Sequence, residues 1–309
     1  MSLRFSGTLE SLLQQEIQIR SLPEDFMLTV KGWYLPVAKQ VYLSASKTQG
    51  TFLVSFNGAQ GSGKSTITAF LRLILIHHFK LNTVEVSIDD FYMTLQSRLQ
   101  LASEIHPLLA TRGVPGTHDV ELALDTIKCL QATSTDSPCL VPQFDKACDD
   151  RKPESEWLVV SEPVDVILFE GWCNHAPVQT DQQLQQPIND LERDEDSAGI
   201  WRSYVNQQLA VYHQLLFDQA GLLIYLKVPS FEKVFEWRGL QEKKLAQLDG
   251  GNKNAIMDVQ QLNRFIQHYE RITRLCLDDL PDQAGIVLYL NDEHGIDSVR
   301  IGDTEIEHV

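Results

Sequence analysis

Residues 51–66, TFLVSFNGAQGSGKST, carry the clearest structural signal in this chain of 309 residues. Within them, Gly58 to Ser65 match the pattern G-x-x-x-x-G-K-[ST] without a mismatch. A β-rich run, residues 51–56, precedes the first glycine of the motif, and a helix-compatible segment, residues 65–80, follows its lysine, Lys64. This strand–loop–helix order is the one that a phosphate-binding loop requires.

The residue types in this loop suit an anionic ligand. Glycines let the backbone approach phosphate oxygens closely, and successive N–H groups at a helix N-terminus form a cradle for them. Lys64 supplies a positive charge for the β- and γ-phosphates, and the Ser65 hydroxyl is a ligand for Mg²⁺. The predicted nucleotide-binding residues are Gly58, Ala59, Gln60, Gly61, Ser62, Gly63, Lys64, Ser65 and Thr66.

Further apolar runs predict the rest of a sheet. Residues 84–88 alternate between apolar and polar side chains as a strand does. Residues 164–169, 221–228 and 285–290 are nearly continuous apolar runs, which are typical of parallel strands buried on both faces. Helical patterns lie between them, for example in residues 120–132. We therefore predict an α/β P-loop NTPase fold with a mostly parallel sheet and helices on both faces.

The chain is predicted to form one domain, residues 1–309, with two distinctive segments. Residues 1–50 are predicted to be a helical N-terminal extension, interrupted near Leu22-Pro23. Residues 174–199 are rich in Gln, Asp, Glu and Pro and are typical of a linker or of a long loop over an active site. We favour the long loop, because the apolar strands on either side look like members of one sheet.

Two acidic positions follow predicted strands. Asp89 comes directly after residues 84–88, and Glu170 comes directly after residues 164–169. Carboxylates at the C-terminal ends of parallel strands lie beside the phosphate crevice. There Asp89 can accept the proton of an attacking hydroxyl, and Glu170 can hold Mg²⁺ directly or through water. For Asp90, a role in a turn and a role in the site remain equally open.

Two common classes of P-loop protein do not fit the sequence. A switch GTPase would carry N-K-x-D after an apolar strand, whereas residues 252–255 are NKNA and follow two glycines. An ABC-type ATPase would carry its Ser-Gly-Gly signature before the second acidic motif. The nearest match, residues 248–252 (LDGGN), comes after that motif and lacks the serine.

The charge and the apolar runs argue against two classes of partner. The chain has 26 Lys and Arg against 42 Asp and Glu, a formal net charge of −16. Such a chain is a poor candidate for binding nucleic acid or an anionic membrane surface, both of which attract a basic face. The longest apolar run, residues 70–76, is too short to span a bilayer and is interrupted by Arg72.

The five cysteines and the N-terminus predict a cytoplasmic protein. The cysteines are odd in number and scattered, with no CxxC pair, so we expect reduced thiols rather than a disulfide framework or a structural zinc. The first fifteen residues contain no apolar core of a secretory signal. A homodimer is compatible with the sequence, but no residue pattern points to one.

The motifs together resemble those of one kinase group. The P-loop, SIDDFY at residues 87–92 and the strand ending in EGW at 170–172 resemble the phosphoribulokinase, uridine kinase and pantothenate kinase group. Other segments are similar to the D-glycerate 3-kinase branch, with its bacterial and yeast kinase-like members. These segments are residues 112–119 (RGVPGTHD), 142–146 (PQFDK), 170–173 (EGWC), 187–192 (PINDLE), 201–206 (WRSYVN), 237–238 (WR) and 265–271 (FIQHYER).

The resemblance implies catalytic and metal-binding roles for several residues. In the related uridine kinases the Asp that opens the D-x-F-Y motif acts as base, and this position is Asp89 here. The Mg²⁺ ligands of the group correspond to Ser65 and Glu170, so the predicted metal-binding residues are Ser65, Asp89 and Glu170, and Lys64 stabilises the phosphates. A lid is expected in residues 230–255, from which Arg238 would swing over the phosphates.

The same resemblance implies an acceptor pocket. Arg112 would bind a carboxylate bidentately, and His118 and Asp119 would bind acceptor hydroxyls, although Asp119 is equally well placed to cap a helix. Phe144 stands where a Tyr is usual in uridine kinases, which removes a hydroxyl contact there. The predicted substrate-binding residues are Asp90, Tyr92, Arg112, His118, Asp119, Asp145, Lys146, Arg151 and Trp172.

The sequence therefore predicts an enzyme that transfers the γ-phosphoryl group of ATP, with Mg²⁺, to a hydroxyl of a small molecule. Basic residues near the site favour an anionic acceptor such as a carboxylate, and D-glycerate is the first choice. These residues are Arg112, Lys146, Arg151 and Arg202. Two alternatives remain open: a kinase for a nucleoside, pantothenate or another sugar acid, and an ATP-binding regulator or assembly factor that hydrolyses ATP slowly.

Overall fold

The computed structural model describes residues 5–248 and 259–307, in which helices cover both faces of a seven-stranded sheet. Two small two-stranded sheets lie outside it. The strands are β1 (Phe52–Gly58), β2 (Thr83–Ser87), β3 (Cys139–Val141), β4 (Phe144–Asp145), β5 (Asp150–Arg151), β6 (Leu158–Val160), β7 (Val166–Gly171), β8 (Leu222–Lys227), β9 (Ile286–Leu290), β10 (Ile296–Ile301) and β11 (Thr304–Glu307).

Helices separate the five parallel strands of the main sheet along the chain. The helices are α1 (Gly7–Ile19), α2 (Phe26–Thr29), α3 (Leu35–Ala45), α4 (Lys64–His77), α5 (Leu95–Glu104), α6 (Val120–Gln131), α7 (Asp181–Leu184), α8 (Asp190–Glu195), α9 (Ile200–Leu215), α10 (Phe231–Leu248) and α11 (Val259–Gln283). A π-helical turn, Val30–Tyr34, joins α2 to α3. Short 3₁₀ turns occur at Ile88–Phe91, Pro107–Ala110, Glu154–Glu156 and Phe217–Gln219.

The strand order of the main sheet is β11-β10-β9-β8-β1-β7-β2. The five strands from β9 to β2 pair in parallel, whereas β9, β10 and β11 pair antiparallel. The predicted α/β P-loop fold is confirmed. Because β1 and β7 run in parallel with Phe56 opposite Glu170, the end of β7 lies beside the loop that follows β1.

Side chains alternate between the two faces of the central strands, and each face buries its own apolar cluster. Val54 and Phe56 of β1 belong to the apolar cluster that includes residues of α1, α3 and α4, whereas Leu53 belongs to the cluster that includes residues of α6, α9 and α11. On α1 the buried residues Leu9, Leu13 and Ile17 are spaced four apart, so they form one apolar stripe of the helix. This N-terminal segment therefore covers one face of the sheet.

Residues 174–199, which connect β7 to α9, contain the two short helices α7 and α8. Two buried ion pairs hold this segment: Arg271 with Glu192, at 2.6 Å, and Arg202 with Asp196, at 2.9 Å. Arg202 also donates to the carbonyl oxygens of Leu184, Gln185 and Asp196. All three guanidinium nitrogens of Arg202 are engaged here, so its expected place near the acceptor is wrong.

The expectation of uniformly reduced cysteines is also wrong. Cys129 near the end of α6 and Cys139 at the start of β3 form a disulfide, with their Cα atoms 5.7 Å apart. The turn between them brings β3 back against α6, a juxtaposition that spacing in the sequence does not reveal. Cys148 is exposed, and Cys173 and Cys276 are buried free thiols.

No helix within residues 5–248 and 259–307 has the length and apolar character needed to cross a bilayer. Of the segment expected to form a lid, residues 231–248 form α10. Residues 249–255, the remainder of that expected lid, lie outside the described part of the chain.

Candidate active site

The loop between β1 and α4 has the backbone of an anion cradle. Gly61 and Gly63 have φ values of 77° and 92°, a region that side chains other than glycine disfavour. A Cβ on Gly58 would lie 2.6 Å from the Ser62 Oγ, so glycine is required there for close packing. Helix α4 begins directly at Lys64, which leaves its first N–H groups directed at the loop.

Lys64 lies inside this loop and near two carboxylates. Its Nζ donates to the Ala59 carbonyl oxygen at 3.1 Å. Burial lowers the pKa of Lys64, and the charges of Glu170 and Asp89 act in the opposite direction. The lysine therefore faces both acidic positions that the sequence pattern indicated.

Ser65, Ser87 and Glu170 meet at the ends of three elements. Glu170 Oε1 accepts hydrogen bonds from the Ser65 Oγ at 3.1 Å and from the Ser87 Oγ at 2.9 Å. Glu170 is buried, with 9% of its surface exposed. A hydroxyl and a carboxylate are hard oxygen ligands, so this pair fits Mg²⁺. Ser87 was not predicted; its place at the end of the neighbouring strand β2 was the available signal.

Elsewhere in the described residues, no three His, Cys, Asp or Glu side chains converge as a metal cluster. Magnesium usually keeps several waters and takes further ligands from substrate phosphates, so it does not need such a cluster. The Ser65–Glu170 pair is therefore compatible with a metal that binds together with a nucleotide.

Asp89 opens the 3₁₀ turn after β2, and both of its carboxylate oxygens are hydrogen-bonded. Oδ1 accepts from the Tyr92 hydroxyl at 2.8 Å, and Oδ2 lies 2.7 Å from the Lys146 Nζ. Burial alone would raise the pKa of Asp89, but Lys146, Tyr92 and the nearby His118 outweigh burial and lower it. The carboxylate is thus ionised at neutral pH and paired with a lysine that is 61% exposed.

Asp90 has a different environment from its neighbour. Its Oδ1 accepts a hydrogen bond from the Phe144 N–H at 3.1 Å, which ties the 3₁₀ turn to β4. Burial raises the pKa of Asp90 to about 6, with a further contribution from the Asp89 charge. The observed contact of Asp90 is therefore structural.

Two loops bring the remaining candidates towards Asp89. Arg151 of β5 donates from Nη2 to the Tyr92 carbonyl oxygen and to Asp119 Oδ2, both at 3.1 Å. Asp119 also caps α6 through Oδ1, which accepts from the Leu122 N–H at 3.1 Å. Asp119 thus has the capping function that the sequence left open, and in addition it orients Arg151.

His118 is buried between aromatic rings. Its ring stacks on Tyr92 with 4.4 Å between centroids, and its Nδ1 lies 2.9 Å from the Tyr212 hydroxyl. Two buried nitrogen atoms in this region, His118 Nε2 and Arg151 Nε, have no hydrogen-bond partner in the protein. Unpaired buried polar atoms are unusual and point to a missing partner such as a ligand or water.

Three further predicted acceptor residues, Arg112, Asp145 and Trp172, make contacts within the protein. Arg112 pairs with Asp149 and packs over the Phe144 ring. The Asp145 Oδ1 accepts from the backbone N–H groups of residues 147 and 148 in an exposed turn. The buried Trp172 donates its indole N–H to the Gly113 carbonyl oxygen at 2.8 Å. These contacts shape the loops around the site.

The region after β8 lies against the P-loop. A Cβ on Gly61 would be 3.5 Å from the Trp237 Cβ and 3.9 Å from the Arg238 backbone nitrogen, so α10 passes beside the loop. The Arg238 guanidinium lies 5.6 Å from the centre of the Phe265 ring. Arg238 is therefore carried by a helix that adjoins the P-loop.

His294 contacts the P-loop, and the sequence did not reveal this contact. Its Nε2 lies 2.9 Å from the Gly61 carbonyl oxygen, and its ring stacks on Trp237 with 3.5 Å between centroids. His294 lies in the turn between β9 and β10, 233 residues from Gly61. The short polar segment around it, residues 291–295 (NDEHG), looks like an ordinary turn in sequence. Only the three-dimensional structure therefore shows this contact.

Comparisons with known proteins find kinases. The chain is 29% identical over 227 residues to an uncharacterized kinase, mug58, of Schizosaccharomyces pombe; the match covers 71% of this chain and 78% of that protein. It is also 29% identical over 260 residues to the chloroplastic D-glycerate 3-kinase of Arabidopsis thaliana, covering 77% of this chain and 52% of that protein.

Among solved structures, a D-glycerate 3-kinase from Cryptococcus neoformans superposes with a TM-score of 0.71 and 24% identity. The superposition covers 86% of this chain and 98% of that one. No family model matches the chain. The curated relatives are kinases, with pantothenate kinases among the more distant ones. The chain is therefore a small-molecule kinase with the P-loop fold.

Proposed function

We propose that this small-molecule kinase transfers the γ-phosphoryl group of ATP to a hydroxyl of a small carboxylate, with D-glycerate as the acceptor. The observation that carries the proposal is Asp89. It is an ionised carboxylate close to Lys64 of the P-loop, and it is surrounded by hydrogen-bond donors. A base in this position suits phosphoryl transfer to an alcohol.

The nucleotide half of the reaction uses the loop between β1 and α4. The backbone N–H groups of the loop and Lys64 would bind the phosphates of ATP. Ser65 and Glu170 would hold Mg²⁺, which neutralises charge on the phosphates. Arg238 on α10 would add positive charge from a lid that closes over the nucleotide.

The acceptor hydroxyl is placed against Asp89. Lys146 is 61% exposed, so it can leave Oδ2 and make room for the hydroxyl at small cost. The hydroxyl oxygen forms a bond to the γ-phosphorus, while the bond to the β–γ bridging oxygen breaks and ADP leaves. The hydroxyl proton passes to Asp89. Most of the acceleration would come from positioning and electrostatic stabilisation.

The polar groups around Asp89 support an anionic acceptor. Lys146 pairs with Asp89, and Arg151 and His118 contact Tyr92, which donates to Asp89; Arg151 Nε and His118 Nε2 have no partner in the protein. A carboxylate accepts several such hydrogen bonds, whereas a neutral nucleoside offers fewer charged acceptors. The similarity to the Arabidopsis D-glycerate 3-kinase favours D-glycerate among the carboxylates.

The test is acceptor-dependent release of ADP from ATP and Mg²⁺. The panel contains D-glycerate, L-glycerate, glycolate, pantothenate, uridine and ribulose 5-phosphate. We expect stimulation by D-glycerate alone. Stimulation by another compound would keep the kinase mechanism and overturn the acceptor. ATP binding without stimulation by any compound would favour a nucleotide-dependent regulator.

A further inference from the structure

We propose that Tyr212 fixes the proton of the His118 imidazole on Nε2, so that His118 donates a hydrogen bond to an oxygen of the acceptor. Tyr212 is then a positioning residue, and through His118 it contributes to acceptor specificity. The part of this inference that concerns the acceptor rests on the proposed kinase function. The proton position on His118 does not.

The hydrogen-bond count at the Tyr212 hydroxyl determines the proton position. The hydroxyl oxygen accepts from the Gly116 N–H at 2.8 Å and from the His118 N–H at 3.3 Å. These two donors occupy both lone pairs of the oxygen. The Tyr212 hydrogen must therefore point at its third neighbour, the His118 Nδ1 at 2.9 Å. Nδ1 is thus the acceptor in this pair.

A neutral imidazole carries one N–H, so its hydrogen is on Nε2 when Nδ1 accepts. Burial lowers the pKa of His118 to about 4, and the Asp89 charge offsets only part of this effect. The ring is therefore neutral at physiological pH. Tyr212 is fully buried, so water does not compete for its hydroxyl.

The Nε2–H of His118 has no partner in the protein, although the residue is only 2% exposed. The ring stacks on Tyr92, whose hydroxyl donates to Asp89. This places the unpaired donor in the immediate surroundings of the proposed base. A ligand oxygen that binds beside Asp89 would satisfy the donor, and the donor would reject a ligand that offers an N–H or a methyl group there.

The chain around Tyr212 is built to hold this arrangement. Gly116 has a φ of 94°, and a Cβ there would lie 2.5 Å from the Tyr204 ring, so the loop packs closely on α9. Both N–H groups of this loop that reach Tyr212 lie within the RGVPGTHD segment. The same Tyr212 hydroxyl therefore holds the loop in place and selects the tautomer of His118.

The proton position is measured by ¹⁵N NMR of protein labelled in its histidine side chains. At pH 7 we expect His118 of the wild type to show a protonated Nε2 and an unprotonated Nδ1. In Tyr212→Phe we expect the Nδ1–H form to become populated, because the hydroxyl hydrogen that Nδ1 accepted is gone. A protonated Nδ1 in the wild type would overturn the inference.

Kinetics of the same variant test the consequence for binding. We expect the KM for the acceptor to rise about 10-fold in Tyr212→Phe, the effect of losing one well-made hydrogen bond, with the KM for ATP unchanged. Tyr204→Phe is the matched control, because it removes a hydroxyl from the same helix beside the same loop and leaves the His118–Tyr212 contact intact. Equal effects of the two variants would overturn the inference.

The failure of the inference and that of the proposed function give different results. If no acceptor stimulates the wild type, the proposed function fails, and the NMR spectrum still decides the proton position. If an acceptor stimulates the wild type but Tyr212→Phe leaves its KM unchanged, the specificity role of Tyr212 fails and the kinase function stands.

Discussion

The nucleotide side and the acceptor side of the site are built in opposite ways. The nucleotide side comes from one continuous segment, residues 58–66, and from the end of β7. The side chains expected to meet the phosphates and Mg²⁺ are paired within the protein, as in the contacts of Lys64 with Ala59 and of Ser65 with Glu170, whereas the buried Ser62 Oγ is unpaired. The acceptor side comes from three separate loops, and it contains buried donors without partners, on His118 and Arg151.

This difference has a physical meaning. A phosphate cradle depends mainly on backbone N–H groups, so a short segment with the right glycines is sufficient. Recognition of a small acceptor requires side chains that point inward from several directions, and some of them stay unpaired until the ligand arrives. Substitutions on the nucleotide side should therefore alter the binding of ATP and Mg²⁺, and substitutions on the acceptor side should alter the binding of the acceptor.

The largest expected effect comes from Asp89, where the two sides meet. Asp89→Asn removes the proton acceptor but keeps the size of the side chain and its contact with Tyr92. We expect kcat to fall by about 10²–10⁴-fold with ATP affinity nearly unchanged. The measurements are ADP release at saturating acceptor and equilibrium titration with ATP. An equal loss of ATP binding would contradict the role of Asp89 as base.

Glu170→Gln should affect the nucleotide side alone. The variant keeps the shape of the side chain but removes the negative charge that favours Mg²⁺. We expect the Mg²⁺ concentration for half-maximal activity to rise about 10–100-fold, with the acceptor KM unchanged. Glu156→Gln in the exposed 3₁₀ turn before β6 is the control. A change in the acceptor KM without any change in Mg²⁺ dependence would contradict the assignment.

Three wholly or partly buried histidines, of which His118 lies on the acceptor side, should make folding sensitive to acid. Burial is the main cause that lowers the pKa of His118, His175 and His268 from 6.5 to about 4. The unfolded chain therefore takes up protons near pH 6.5 that the folded chain resists until about pH 4. The contribution of these histidines to the free energy of unfolding is fully present above pH 6.5 and is lost as the pH falls towards 4.

We expect each histidine to contribute about 1–3 kcal/mol to this loss. His268→Phe should flatten the dependence, since a phenyl ring has no titrating group. The measurement is the free energy of unfolding in urea at pH 7 and pH 5, for the wild type and the variant. The same difference between the two pH values in both proteins would contradict the prediction for His268.

The smallest expected effect is at His294, which contacts the nucleotide side from a distant turn. His294→Ala removes one hydrogen bond to the Gly61 carbonyl oxygen and the stack on Trp237. We expect the KM for ATP to rise by about 2- to 10-fold, with no change in the KM for the acceptor. Steady-state kinetics with each substrate varied in turn separate the two. A change in the KM for the acceptor alone would contradict the assignment of His294 to the nucleotide side.

The same contrast explains how far the sequence predicted the structure. The sheet and the P-loop follow from local patterns, because apolar runs and a fixed glycine spacing determine them. The Asp89 and Glu170 positions follow from the rule that parallel strands end at one edge. The antiparallel hairpin of β10 and β11 was not predicted, because its short strands carry many polar residues.

The acceptor side was predicted less completely, because the sequence does not show which side chains pair. Arg112 and Arg202 look alike in sequence as basic residues within candidate motifs, but in the folded chain they pair with Asp149 and Asp196. Tyr212 and His294 act through contacts with residues 94 to 233 positions away. No local pattern contains such information, so these roles require the three-dimensional structure.

The most direct test of the central claim is ³¹P NMR of the product formed from ATP, Mg²⁺ and D-glycerate. The account predicts ADP and a phosphate monoester whose phosphorus couples equally to two methylene protons, which identifies the hydroxyl at carbon 3 as the acceptor. Coupling to a single proton would show transfer to carbon 2 and would contradict transfer to carbon 3, the position expected from the similarity to a D-glycerate 3-kinase. ADP and orthophosphate as the only products would contradict the account as a whole.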